Sequence, residues 1–219
     1  MSDRLHEFDG AGIRVTWSSR RCIHAAECVR GLPAVFKPGS RPWITPKRAA
    51  AERIAEVIMR CPTGALHFER TDGGPAEPVP GSNTVAPQPE GPLYLRGDLE
   101  IVHADGTLLL RDTRVALCRC GQSRNKPFCD NSHREAGFTD PGDVFEGGVK
   151  PGTGVPAAGP LRVMVRSDGP LVAEGPVTVQ SADGRVTLSG GRAALCRCGQ
   201  SRNKPFCDSS HVTAGFKAS

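Results

Sequence analysis

The sequence predicts an α+β protein in three pieces: a small αβ N-terminal domain over residues 1–72 and two mainly-β modules over residues 83–140 and 161–219. Three observations carry that reading. The chain repeats itself at an offset of 78 residues, each copy sets short apolar runs around an Asp-Gly turn, and the N-terminal region mixes strand and helix periodicity instead. Composition argues against one continuous core. Among 219 residues only 8 Phe, 2 Trp and 1 Tyr are aromatic, while 26 Gly and 19 Pro favour small, loop-rich modules.

In the N-terminal domain, residues 13–17 (IRVTW) alternate as a strand does. Residues 49–60 follow a helical period that puts Ile54, Val57, Ile58 and then Cys61 on one face, and residues 65–69 return as a strand. Residues 73–80 form the linker. The repeat then pairs GPLYLRG from Gly91 with GPLVAEG from Gly169, and over 48 aligned positions 29 are identical. Within each copy, Asp105-Gly106 or Asp183-Gly184 separates two short runs, which is a hairpin signal. Between the copies, residues 141–160 are rich in Gly and Pro and are expected to be irregular, after which residues 161–165 (LRVMV) open the second copy as a strand.

The nine cysteines divide three, three and three. An odd number leaves a thiol over in any fully paired disulfide framework, so metal ligation is the leading reading. The 15-residue string ALCRCGQSRNKPFCD occurs twice, placing Cys118, Cys120, Cys129 and His133 in a C-x-C-x8-C-x3-H spacing that Cys196, Cys198, Cys207 and His211 repeat. Cysteines two apart seldom meet disulfide geometry. Three thiolates and one imidazole complete a four-ligand set, and by spacing alone zinc remains a candidate, because Cys3His is an ordinary tetrahedral zinc set.

The strings CRCGQSRNKPFCDNSH and CRCGQSRNKPFCDSSH resemble the CDGSH iron-sulfur domain family, whose pattern is C-x-C-x2-[ST]-x3-P-x-C-D-G-[SAT]-H. Each position is matched except the family glycine, which is Asn131 in the first copy and Ser209 in the second. Asn tolerates left-handed backbone better than Ser, so the second loop is expected to be strained or differently turned. The resemblance implies a [2Fe-2S] cluster in each copy, held by three cysteines and one histidine. Because the family pairs single motifs as dimers, the two modules are expected to form an internal pseudo-dimer within a monomer.

In the N-terminal domain the cysteines are Cys22, Cys28 and Cys61, the last followed by Pro-Thr-Gly-Ala-Leu. Residues 12–70 resemble the monocluster bacterial ferredoxins, which hold one cluster with a C-x2-C-x2-C run and a distant Cys-Pro. The middle cysteine is Ala25 here, and alanine cannot coordinate iron. A [3Fe-4S] cluster on three thiolates is the preferred expectation. The alternative is a [4Fe-4S] cluster whose fourth ligand is His24, one residue from the vacant position.

These readings converge on a multicluster iron-sulfur protein whose role is one-electron transfer. The alternative is cluster storage, transfer or redox and pH sensing. Expected partners are redox proteins or apo iron-sulfur acceptors, not nucleic acid or membranes: the formal charge of +5 is spread without basic blocks, and no apolar stretch would span a bilayer. The chain therefore reads as cytoplasmic. No nucleophile–base pair or phosphate-binding loop appears, so it reads as a non-enzyme. Arg119, Arg124, Lys126, Arg197, Arg202 and Lys204 are expected to surround the clusters with positive charge. Ser123 and Ser201 are expected either to donate to cluster sulfur or to hold their loops.

Overall fold

In the computed structural model the described residues are 5–152 and 158–218, and the chain divides into two compact units, Met1–Pro78 and Val79–Ser219. It is mostly β with few helices. In the first unit β1 (Leu5–Asp9), β2 (Ile13–Ser18) and β3 (Leu66–Arg70) form an antiparallel sheet in the order β1-β2-β3. Between β2 and β3 run α1 (Glu27–Gly31), a 3-10 turn at Pro46–Arg48 and α2 (Ala51–Ile58). An isolated helix of eight residues is marginal in water, so α2 depends on the face it buries. Ile54, Val57 and Ile58 are fully buried against Val15, Val35, Phe36, Ile44 and Leu66. At about 1.5–3 kcal/mol per buried aliphatic side chain, that face contributes about 5–9 kcal/mol before entropy is counted. The helical period expected for residues 49–60 is present, shortened by two residues at each end.

The second unit is built from β4 (Thr84–Pro87), β5 (Leu93–His103), β6 (Leu108–Leu117), β7 (Val149–Lys150), β8 (Leu161–Val165), β9 (Leu171–Gln180) and β10 (Thr187–Leu195). Both Asp-Gly turns close the hairpins β5–β6 and β9–β10. Shifting β4, β5 and β6 by the 78-residue offset lands on β8, β9 and β10. The pairing crosses between these two sets. β4 runs antiparallel to the first half of β5 (Pro87↔Leu93) and parallel to the end of β9 (Val85↔Val179), while β8 runs antiparallel to the start of β9 (Val165↔Leu171) and parallel to the second half of β5 (Ile101↔Val163). Each short strand thus bridges both copies.

Gly97 and Gly175 sit where β5 and β9 change neighbours. Both have positive φ, 147° and 125°, and an added Cβ would lie 2.1 Å from Asn83 Oδ1 at the first and 2.5 Å from the Pro160 carbonyl oxygen at the second. Only glycine fits such an approach. One core serves both copies: Leu93, Leu95, Leu99, Ile101, Val115 and Leu117 pack with Leu161, Val163, Leu171, Ala173, Val179 and Leu195. Residues 141–160 are irregular apart from β7, which pairs with β10, and residues 153–157 lie outside the described set. No described helix is long and apolar enough to cross a membrane.

Candidate metal centres

In each copy of the repeat the last hairpin strand delivers the first two cysteines and a return loop delivers the third. Cys118 N donates to the Pro127 carbonyl (2.8 Å) and Cys129 N to the Ala116 carbonyl (2.9 Å), which sets Cys129 beside the end of β6. Ser123 Oγ donates to the Phe128 carbonyl (2.7 Å) and accepts from Asn125 N, so this serine holds the loop and does not point its hydrogen at sulfur. Ser201 repeats both bonds. A one-turn helix follows, α3 (Ser132–Glu135) and α4 (Ser210–Thr213), carrying His133 and His211. Asp130 and Asp208 accept the Ser132 and Ser210 amides and start these turns.

The donors come in two pairs per module. Cys118 Sγ and Cys120 Sγ are 3.6 Å apart, and Cys129 Sγ and His133 Nδ1 are 3.5 Å apart. The second module repeats this with 3.7 Å for Cys196–Cys198 and 3.4 Å for Cys207–His211. Thiolates about 2.3 Å and imidazole nitrogens about 2.0 Å from a tetrahedral metal stand about 3.5–3.8 Å apart, so each pair matches one edge of a coordination tetrahedron. Among the described residues, however, no group of three or more His, Cys, Asp or Glu converges on a single ion.

Electrostatics favour a bound cation at these thiols. The bond with Cys120 holds the Cys118 thiol down at about 6 and, with burial, pushes Cys120 up; burial pushes Cys129 up to about 11 and also raises Cys196 and Cys207. Thiols gathered and buried in this way resist carrying their charges together, and a cation removes that penalty. His133 is buried and is held below the usual imidazole range by burial, then by Arg134 and Arg119, which keeps it neutral and able to ligate. Backbone amides point at sulfur as well: Gln122 N to Cys120 (3.5 Å), Asn131 N to Cys129, Gln200 N to Cys198 and Ser209 N to Cys207 (each 3.4 Å).

Asn131 and Ser209 both adopt left-handed backbone, φ 72° in each, with ψ of 3° and 6°. The second loop is therefore turned as the first is, and any strain falls on Ser209. The two loops also touch. Cys120 and Cys198 form an antiparallel bridge, and a Cβ on Gly121 would lie 2.5 Å from the Cys198 carbonyl oxygen. Of the basic residues, Arg124 is exposed, whereas Arg119 and Arg197 are 1% exposed and lie over the rings of Phe138 and Phe216, at 5.1 and 5.3 Å. Lys126 and Lys204 turn back onto the Ser123 and Ser201 carbonyls.

In the N-terminal unit, Cys22, Cys28 and Cys61 line one cavity of about 770 Å³ together with His24 and Ala25. The loop reaches this arrangement through left-handed backbone at His24 (φ 55°) and Ala26 (φ 63°). Burial, then Cys61 and Cys22, push the Cys28 thiol up to about 11. Trp17 and Trp43 line the same cavity, their rings edge to face at 5.0 Å, and each buried indole Nε1–H has no acceptor among the described residues. Three thiols and two orphaned donors around one apolar space fit a cluster whose inorganic sulfides accept hydrogen bonds. The indoles carried no sequence signal; in a sequence they read as core.

Comparison with known proteins agrees with this division. The family model described as "Divergent 4Fe-4S mono-cluster" matches residues 8–71, and "Iron-binding zinc finger CDGSH type" matches residues 90–134 and again 168–212. Among curated proteins, the chain is similar to "Uncharacterized protein YjdI" of Escherichia coli strain K12 and of strain O157:H7. In both cases identity is 34% over 61 residues, spanning 28% of this chain and 80% of the relative. No solved structure matches.

Proposed function

Since the chain belongs to the iron-sulfur proteins, with a divergent 4Fe-4S mono-cluster domain followed by two CDGSH iron-binding domains, we propose that it is a non-enzymatic one-electron carrier. Cys118, Cys120, Cys129 and His133 hold one [2Fe-2S] cluster, and Cys196, Cys198, Cys207 and His211 hold a second. Cys22, Cys28 and Cys61 hold the N-terminal cluster. For that cluster the family description and the position of His24 on the cavity wall favour [4Fe-4S] with His24 as fourth ligand over the three-iron form. The crossed pairing of β4 and β8 supports reading the two modules as an internal pseudo-dimer.

The observation that carries the electron-transfer reading is the Cys120–Cys198 bridge, which sets the two CDGSH loops against each other. When bound, each cluster supplies a reversible one-electron couple, and one histidine among its ligands sets a potential above that of an all-cysteine site. The protein's part is to exclude water from Cys118, Cys120 and Cys129, to aim the four amide donors at sulfur, and, by burial, to favour the neutral imidazole of His133. A protonated imidazole cannot ligate, so acid loosens the histidine edge first. His133 is buried, whereas His211 is half-buried.

Iron and acid-labile sulfide analysis of the purified protein tests the assignment. About eight irons and as many sulfides per chain are expected, against about seven irons for a three-iron N-terminal cluster. Zinc without sulfide would overturn it. Reversible reduction with the clusters retained supports the carrier role; transfer of clusters to an apo acceptor without electron turnover indicates storage or delivery instead. Changing both His133 and His211 to cysteine is expected to abolish the pH dependence of the CDGSH potential, about 59 mV per pH unit where one proton accompanies one electron.

A further inference from the structure

The end of each repeat copy packs on the cysteine loop of the other. Lys217 and Ala218, at the end of the second copy, line a pocket with Gln122, Ser123, Arg124 and Lys126 of the loop between Cys120 and Cys129. Asp140, at the end of the first, lies 4.0 Å from Lys204 of the loop between Cys198 and Cys207, and that lysine donates to the Ser201 carbonyl (2.6 Å). One buried arginine goes with each end. Arg119 donates through Nε to the Gly91 carbonyl (2.8 Å) and through Nη2 to the Gln88 and Asp140 carbonyls. Arg197 donates through Nε to the Gly169 carbonyl (3.0 Å) and through Nη2 to those of Arg166 (2.7 Å) and Ala218 (3.0 Å).

The two ends differ in charge. Arg119 Nη1 also donates to the Asp140 carboxylate, whose side chain is only 10% exposed, so a buried ion pair stands beside the second loop. The residue equivalent to Asp140 is Ala218. Arg197 Nη1 has no hydrogen-bond partner among the described residues, and the guanidinium acts electrostatically on Cys118 of the first loop. Arg119 acts in turn on His133, but as half of a pair with Asp140. Lys217, exposed and bonded to Asp168, stands where the first copy has Thr139. Other charges cancel: Asp168 matches Glu90, and Arg134 with Glu135 stand where the second copy has Val212 and Thr213. The first loop thus faces one buried carboxylate fewer and one exposed ammonium more than the second.

We propose that Asp140 sets the two CDGSH sites at different reduction potentials, with the first site (Cys118, Cys120, Cys129, His133) the higher. The proposal rests on the reading that each site holds a [2Fe-2S] cluster. Reduction adds negative charge, so a nearby cation raises the potential and an anion lowers it, and burial keeps that effect from being screened. Cys207 and His211 are half-buried where Cys129 and His133 are buried, so water works against this order, and the buried carboxylate outweighs it. Asp140 thereby gives direction to a pair of sites whose ligand sets are identical.

The test is a redox titration of the holo protein followed by electron paramagnetic resonance, with iron, zinc and acid-labile sulfide measured on the same sample. The unchanged chain is expected to show two [2Fe-2S] couples whose separation corresponds to at least a tenfold preference for one site, about 59 mV for one electron. Asp140→Asn keeps the shape and removes the charge, and is expected to raise the lower couple by more than it moves the upper. Ala218→Asp is expected to lower the upper couple and leave the lower in place. Either change narrows the separation, and the second tests the same charge should the first fail to fold. Coincident couples in the unchanged chain, equal shifts of both couples in Asp140→Asn, or a lower unfolding midpoint with neither couple moved would overturn the proposal while leaving the cluster reading intact. Zinc without sulfide would overturn both.

Discussion

Replacing Ser209 with glycine is expected to stabilise the second module, while the same change at Asn131 leaves the first nearly unaltered. Both residues sit at φ 72° just before their histidine turns. A left-handed conformation costs an L-residue about 1–2 kcal/mol, less for asparagine, and glycine escapes it. Glycine returns about 0.4–1 kcal/mol of that through the greater freedom of the unfolded chain. The net gain at Ser209 is about 0.5–1 kcal/mol, because its side chain is exposed and its amide bond to Cys207 Sγ survives the change. For a unit of this size that corresponds to a rise of about 2–4 °C in midpoint. Thermal unfolding of the holo protein, followed by far-ultraviolet circular dichroism and by cluster absorbance, reads both variants. A loss of stability in Ser209→Gly, or a gain as large in Asn131→Gly, would refute the argument from backbone strain.

Gly121→Ala should cost more than about 2 kcal/mol, since its φ is +81° and the new methyl would meet the Cys198 carbonyl at 2.5 Å. Gly137→Ala, with φ +59° and open space around it, should cost only about 1 kcal/mol; equal losses in denaturant melts would mean the loops do not touch. Trp17→Phe and Trp43→Phe keep the aromatic packing but remove an indole donor, so each should lower the reduction potential of the N-terminal cluster in a redox titration monitored by electron paramagnetic resonance. The Arg70 guanidinium and the Gly74 amide pull the Asp72 carboxyl down to about 2. This pair therefore stabilises the fold above the ordinary carboxylate range and loses that effect as pH falls from about 4 to 2. Asp72→Asn should flatten that part of the acid limb in urea melts, and an unchanged limb would discount the pair.

The repeat made much of the second unit legible. An exact 15-residue recurrence fixes where the donors sit, and Asp-Gly turns reveal two hairpins because that dipeptide accepts positive φ cheaply. The strand exchange was not legible. Residues 84–87 and 161–165 have the same alternation whichever edge they join, and the choice depends on contacts far apart in sequence, with Gly97 and Gly175 as the only local trace. In the N-terminal unit the apolar period of Ile54, Val57 and Ile58 announced α2, whereas β1 carries the exposed alternation of an edge strand, and α1 is too short to show a period. The cysteines announced themselves by spacing. The orphaned indoles and the unmatched arginine did not, because only a folded interior shows which donors lack acceptors.

The crossed sheet also bears on how such a duplication persists. Deleting the second copy would strip β8 and β9 from β5 and β4, leaving two apolar strand edges bare. Bare edges of that kind pair with other chains and aggregate. Once fused, each copy therefore shields the other, and the loss of either would be selected against through solubility even if its cluster were dispensable.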